Sequence, residues 1–95
     1  MIGYLKGTVV FSQDREIIIL TDGGTGYLVS VTPQVASAHS EGDTVELFIE
    51  TSVREDAIVL FGFPKMEERK LFNLLREVNK IGPKTALSIL SSGTA

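Results

Sequence analysis

Cysteine and tryptophan are absent from the 95-residue sequence, and His39 is its single histidine. Without cysteine, the chain can form neither a disulfide nor a thiolate metal site. A Ser-His-acid triad would depend on His39 alone, and no Gly-x-Ser-x-Gly turn accompanies it. His and acidic residues also lack the clustered spacing of a zinc site. These absences exclude a thiolate site, a Ser-His-acid triad and a zinc site, and we expect a non-catalytic protein without a metal or cofactor of its own.

Long apolar runs are missing as well. No run approaches the roughly 20 residues of a membrane helix, and the N-terminus lacks the basic segment and apolar stretch of a signal peptide. We therefore expect a soluble, cytoplasmic protein with no membrane contact. Hydrophobic residues make up 43% of the chain, which is enough for the core of one small domain.

Positive charge is scarce before Pro64 and in excess after it. Residues 1–63 contain three basic and nine acidic side chains, a net charge of −6, whereas residues 64–95 contain six basic and three acidic ones, a net charge of +3. This asymmetry indicates either an anionic partner that meets the C-terminal part or ordinary solvated charges on both parts. Composition alone leaves both interpretations open.

Residues 1–63 have the pattern of a strand-rich module. Apolar and β-branched residues predict strands at 2–11, 16–21, 27–31, 44–53 and 57–63. Gly3 and Gly7 inside the first strand suggest bulges or sharp bends, and Thr32 before Pro33 suggests a short helix or loop with Thr32 as its cap. Five strands with short turns favour a small barrel or sandwich, and the oligonucleotide/oligosaccharide-binding (OB) barrel is the natural candidate.

The sequence period changes at Pro64, which predicts a boundary between a domain at 1–63 and a helical segment at 64–95. The first predicted helix runs to about residue 78, and its apolar stripe consists of Leu71, Leu74, Leu75 and Val78. The second helix starts at Pro83, with a stripe of Ala86, Ile89 and Leu90. Two such helices cannot bury both stripes against each other, so they must pack on the barrel, on another copy or on a continuation of the chain.

Residues 79–82 form a predicted turn between the two helices. The helix that starts at Pro83 leaves backbone N–H groups without partners beside Lys80 and Lys84, which is typical of an anion site, and a phosphate is the expected ligand. The sequence of residues 82–85 differs from a nucleotide-binding P-loop, because proline separates the glycine from the lysine and a helix precedes it. Any ATP that the biology needs must therefore be bound by another subunit.

Glu55 and Asp56, the acidic pair, occupy the expected tip of the hairpin between the fourth and fifth strands. Adjacent carboxylates occur in catalytic and divalent-metal sites, and they are also common in solvated turns. A third interpretation is electrostatic, because two carboxylates on a rigid hairpin would repel phosphates and limit where a duplex can lie. The residues themselves leave these alternatives open.

Several segments, taken in their order along the chain, resemble the RuvA family of bacterial Holliday-junction branch-migration proteins. The matching segments are residues 1–3 with Leu5 and Gly7, 26–27, 53–57, 60–63 and 81–90. The resemblance implies an OB barrel followed by helix-hairpin-helix elements, assembled as a homotetramer on which a four-way DNA junction lies open and flat. It also implies a hexameric ATPase partner, RuvB, which uses the ATP, and a junction-resolving nuclease, RuvC.

The resemblance also implies roles for individual residues. The first DNA-binding hairpin of the family corresponds to Asn79, Lys80, Ile81, Gly82, Pro83, Lys84 and Thr85. In the family, this hairpin binds phosphates on the minor-groove side through backbone N–H groups and the residue matching Lys84. The acidic pair corresponds to the family's acidic pin, which lies near the tetramer centre where the junction arms separate.

The sequence departs from the family pattern at two points. Lys80 stands where the family commonly has glycine, and a positive φ there would cost about 1 kcal/mol or more unless the turn differs or the ammonium gains a phosphate. The family's second helix-hairpin-helix and C-terminal helical domain have no counterpart, so we expect a fragment of a longer protein. Two other hypotheses stay open: an interaction barrel whose helices mediate only assembly, and a metal-dependent nuclease centred on the acidic pair.

Overall fold

The computed structural model describes residues 1–93, and the last two residues of the predicted segment 64–95 lie outside the described residues. The strands are β1 (Tyr4–Gln13), β2 (Glu16–Leu20), β3 (Gly26–Ser30), β4 (Thr44–Val53) and β5 (Ile58–Phe63). The helices are α1 (Pro33–Ala38), α2 (Met66–Asn79) and α3 (Pro83–Gly93). The strands close into a barrel in the order β1-β2-β3-β5-β4. The predicted five-stranded barrel followed by two helices is confirmed.

The barrel has an apolar interior because alternate residues of each strand point inward. Ile17, Ile19 and Ile49 are fully buried, as the period of two in a half-buried strand requires. Neighbouring strands run antiparallel except β3 and β5, which are parallel and pair Val29 with Leu60. The interior is tightly filled, since a Cβ on Gly62 would lie 2.7 Å from a methyl group of Val29.

The first strand has no bulge at Gly3 or Gly7, so one of the two predicted alternatives for these glycines is wrong. Gly3 precedes β1, and Gly7 keeps regular register opposite Val45. The irregularity lies instead between Val9 and Phe11. Glycine at position 7 is explained by close approach of the backbone, because a Cβ there would overlap the carbonyl oxygen of Leu20.

The helices pack on the barrel through β5, which is one of the three alternatives that the sequence left open. The ring of Phe72 is fully buried and lies 5.2 Å from the ring of Phe61 and 4.9 Å from that of Phe63, measured between centroids. The same cluster contains Ala86, Leu87 and Leu90 of α3. An aromatic core therefore joins the helices to the barrel wall. The boundary predicted at Pro64, between a domain at 1–63 and a helical segment, stays a prediction.

The apolar stripe predicted for α2 is largely wrong. Leu71, Leu74 and Val78 are 45%, 54% and 67% exposed, whereas Phe72 forms the buried centre and Leu75 is half-buried. Periodicity identifies an apolar side of a helix. The barrel, however, presents an aromatic surface on which the Phe72 ring packs, and the buried face of α2 is therefore displaced from the predicted stripe by about one residue. The helix also begins two residues later than Pro64, at Met66.

The face of α3 differs from its prediction in a similar way. Ala86 and Leu90 are buried as expected, but Ile89 is 42% exposed and Leu87 takes its place in the core.

Polar contacts fix the orientation of α2 on the barrel. Arg69 donates from Nε to the carbonyl of Ile49 at 3.0 Å and forms an ion pair of 3.1 Å with Glu50. Asn73 donates to the same carboxylate at 2.8 Å.

Among residues 1–93, no helix has the length and apolarity needed to cross a membrane.

A second set of polar contacts holds α3. The side-chain amide of Gln34 donates to the carbonyl of Ser91 at 2.7 Å, and the Ser91 hydroxyl donates back to Gln34 at 3.1 Å. Gln34 lies in α1, whose predicted cap is confirmed, because the Thr32 hydroxyl accepts from the N–H of Val35. These contacts hold the C-terminal part of α3 against α1.

Candidate nucleic-acid interface

Helix α2 ends in a left-handed residue. Lys80 has φ 52° and ψ 38°, and within the described chain it is the one non-glycine residue with a positive φ. A left-handed residue of this kind commonly ends a helix, and glycine usually fills the position. The conformation that the sequence predicted as a possible source of strain is therefore present.

The start of α3 leaves polar groups open. The carbonyl of Gly82 accepts from the N–H of Ala86 at 3.1 Å, which is the first hydrogen bond of the helix. Pro83 has no N–H, and the N–H groups of Lys84 and Thr85 have no acceptor within the helix. Apart from its two chain neighbours, no atom of residues 1–93 lies within 4 Å of a Cβ built on Gly82, so this side of the turn is open. The arrangement is that of an anion-binding helix start.

The seven predicted DNA-binding residues divide into two groups. Asn79, Lys80, Gly82, Lys84 and Thr85 are exposed. Ile81 is half-buried against the aromatic cluster and Pro83 is buried, so these two anchor the turn rather than face solvent. Their backbone positions can still present N–H and C=O groups, and contact with DNA stays a prediction for all seven.

The acidic pair lies at the exposed tip of the β4–β5 hairpin. The hairpin closes where the N–H of Arg54 donates to the carbonyl of Ala57 at 2.7 Å. Neither Glu55 nor Asp56 forms an ion pair within residues 1–93. Residues 1–93 also contain no group of three His, Cys or acidic side chains placed to hold a metal ion.

A groove of about 330 Å³ separates the acidic hairpin from the start of α3. Arg54, Asp56 and Ala57 line it together with residues 82–85, and Val59 and Phe61 of β5 also contribute to its lining. The structure thus brings Asp56 and Lys84 to one site, although 28 positions separate them in the sequence. Glu55 is not among the lining residues.

Some of the excess positive charge in the helical segment is already engaged. Arg69 is paired with Glu50, and the guanidinium carbon of Arg76 lies 5.6 Å from the centroid of the Phe72 ring. Lys80 and Lys84 are exposed and form no ion pair among the residues described. Because Glu50 compensates Arg69, the net charge of the segment overstates the field at its surface, and Lys80 and Lys84 supply unpaired positive charge at the turn.

Two arginines of the barrel also lie near the start of α3, and the sequence did not predict that position for either of them. Arg54 lines the groove opposite Lys84. Arg15 lines a neighbouring groove with Lys84 and donates to the Ser88 hydroxyl at 3.3 Å. In the sequence, Arg15 stands between two acidic residues and Arg54 directly precedes the acidic pair, so both look like parts of charged turns. Only the path of the chain shows that they approach α3.

A family model described as RuvA N terminal domain matches residues 1–62, about two thirds of the chain. The chain belongs to the RuvA family. This confirms the resemblance found in the sequence, and the closed barrel with following helices agrees with it. The remaining comparisons extend the similarity into the helical segment.

Relatives from three bacteria match nearly all of the chain. It is 50% identical over 96 residues to a protein of Solidesulfovibrio magneticus, with 100% of this chain and 48% of the relative covered. It is 49% identical over 92 residues to one of Halothermothrix orenii (97% and 46% covered) and 50% identical over 94 residues to one of Rickettsia bellii (99% and 46% covered).

Each of these relatives is named Holliday junction branch migration complex subunit RuvA. The chain spans about half the length of the curated relatives that it matches.

Proposed function

We propose that this chain binds four-way DNA junctions by their shape, as the non-motor part of a branch-migration complex in recombination and repair. The names of its relatives support the substrate. The observation that carries the proposal for this chain is the groove, where an open helix start with Lys84 lies opposite the acidic hairpin. The helix start suits phosphates and the acidic hairpin tip repels them, so the site discriminates between arrangements of strands.

Phosphate binding falls to the α2–α3 turn. The open N–H groups of Lys84 and Thr85 and the ammonium of Lys84 are donors of the kind that bind backbone phosphates at a helix start. Such contacts position the DNA without reading its bases. Binding is therefore independent of sequence and weakens as salt rises, because each neutralised phosphate releases counterions.

The acidic pair discriminates between a continuous duplex and a four-way junction. A continuous duplex that crosses the hairpin tip brings phosphates close to two carboxylates, and like charges at short range repel. At a four-way junction the strands diverge, so the hairpin can occupy the space between them. The pair thus acts as the family's acidic pin, by excluding the wrong shape rather than by catalysis or metal binding.

Four-fold assembly would give each junction arm an equivalent groove, so we include a homotetramer in the proposal. The full-length protein would then work with the RuvB ATPase, which supplies ATP hydrolysis, and with the RuvC resolvase. This chain contributes no catalytic group or cofactor, and we place its activity in the cytoplasm. Light scattering of the purified chain tests the tetramer.

The proposal is tested by gel shifts on a four-way junction and on a linear duplex of the same sequence, over a series of salt concentrations. We expect log-linear salt dependence and tighter binding of the junction. Lys84→Ala should weaken binding to every sequence alike and lower the salt slope by about 1. Lys70→Ala, which removes an exposed lysine of α2 away from the groove, is the matched control.

An unchanged slope for Lys84→Ala would remove this residue from the contact surface, and equal affinity for both DNA forms would refute shape selection. Cleavage assays with and without magnesium test the nuclease alternative. The assembly alternative has its own support in the exposed side chains of Leu71, Leu74 and Val78. It predicts no DNA binding at any salt concentration.

A further inference from the structure

Arg54 is a positive charge on a hairpin whose tip is otherwise acidic. It immediately precedes the acidic pair, yet its side chain is exposed and forms no ion pair within residues 1–93. Arg54 lines the groove from the hairpin side, while Lys84 and Thr85 line it from the helix side. Two cations of different elements therefore border one space.

The backbone holds Arg54 in a defined position. Its N–H donates to the carbonyl of Ala57 at 2.7 Å, and the preceding residue, Val53, is paired with Ile58 across the two strands. Ser52 and Arg54 both line the groove, as expected for residues two apart on one side of an extended chain. The hairpin thus directs the arginine along the groove wall.

We propose that Arg54 is a second phosphate-binding residue, which selects junctions by reaching strands that enter the groove. This inference rests on the proposed function and deepens it. The planar guanidinium offers two parallel N–H donors to one phosphate, whereas Lys84 provides a point charge from the opposite wall. A phosphate between them is held from both sides.

Selection follows from the charges around Arg54. A duplex that lies across the hairpin tip meets the two carboxylates first, and their repulsion outweighs one nearby arginine. A strand that bends into the groove meets Arg54 and Lys84 together but only one carboxylate of the acidic pair, that of Asp56. Arg54 therefore strengthens junction binding and contributes little to the binding of linear DNA, whereas Lys84 contributes to both.

The test compares Arg54→Gln, Arg54→Lys and Lys84→Gln on junction and linear DNA across salt concentrations. Arg54→Gln should weaken junction binding about tenfold and lower the junction salt slope by about 1, with linear binding changed less than about twofold. Arg54→Lys should keep the slope but recover only part of the affinity, because it lacks the two-donor geometry. Lys6→Gln, on the outer face of β1 and away from the groove, should change neither.

The outcomes separate this inference from the proposed function. If Lys84→Gln weakens binding and Arg54→Gln does not, the inference fails and the function stands. If Arg54→Gln weakens both DNA forms equally, Arg54 is a general contact and the selective role is refuted. If the parent chain binds no DNA, both fail. Equal melting temperatures of the variants, expected because both side chains are exposed, show that lost binding does not reflect unfolding.

Discussion

Replacing Lys80 by glycine should stabilise the protein. Its backbone is left-handed, with φ 52°, and this conformation costs an L-residue roughly 1–2 kcal/mol because Cβ crowds the following carbonyl. Glycine avoids that cost but gives up about 0.4–1 kcal/mol, because it makes the unfolded chain more flexible. The difference between these ranges is about 0–1.6 kcal/mol, and their midpoints predict a net gain of about 0.8 kcal/mol. For a domain of this size, a gain of that midpoint value raises the melting temperature by about 3–6 °C.

Circular dichroism during thermal and urea unfolding measures this effect. Lys80→Ala is the matched control, because it removes the ammonium but keeps Cβ and therefore the strain. The expected order of stability is Lys80→Gly above the parent protein, with Lys80→Ala close to the parent. An Lys80→Gly variant that unfolds at lower temperature than Lys80→Ala would refute the assignment of strain to this residue.

The same two variants also separate strain from charge in DNA binding. If the ammonium of Lys80 binds a phosphate, both variants should lose affinity equally and lower the salt slope by about 1. If its charge plays no part, both should bind as the parent does. A loss confined to Lys80→Ala would contradict both interpretations, since that variant keeps the backbone of the parent.

Three further predictions concern other parts of the molecule. Replacing both carboxylates of the acidic pair by amides should strengthen binding to linear duplex relative to junction in gel shifts, and loss of binding to both forms would contradict the repulsion mechanism. Phe72→Ala should lower the free energy of unfolding by about 3–5 kcal/mol in urea titrations, because the ring is fully buried, whereas Leu74→Ala, at a position 54% exposed, should cost far less. The hydrogen bond that Tyr4 donates to Glu46 raises the pKa of Tyr4 above its usual value near 10. The contribution of this hydrogen bond to stability is therefore complete below pH 10 and is lost as the pH rises through the raised pKa. Glu46→Gln should lower the pKa of Tyr4 in a titration of tyrosinate absorbance, and an unchanged value would exclude this partner.

The sequence by itself determined those features that depend on near neighbours in the chain. Alternating apolar residues predicted strand 44–53 with the bounds that β4 has. Thr32 and Pro33 predicted the cap and first residue of α1, and Pro83 predicted the start of α3. The turn of residues 79–82 and its unusual lysine were also visible, because helix ends follow local rules of capping and backbone conformation.

Tertiary structure alone decided which surfaces meet. Phe72 rather than the leucine stripe fills the helix–barrel contact, because burial depends on the shape of the aromatic surface of β5. Pairing with Glu50 takes Arg69 out of the free positive charge. The pairing of β4 with β5 turns the chain back at residues 54–57, and the helices that pack on β5 bring residues 82–85 to the same groove. No sequence period encodes that meeting, since it joins segments that touch only after the chain has folded.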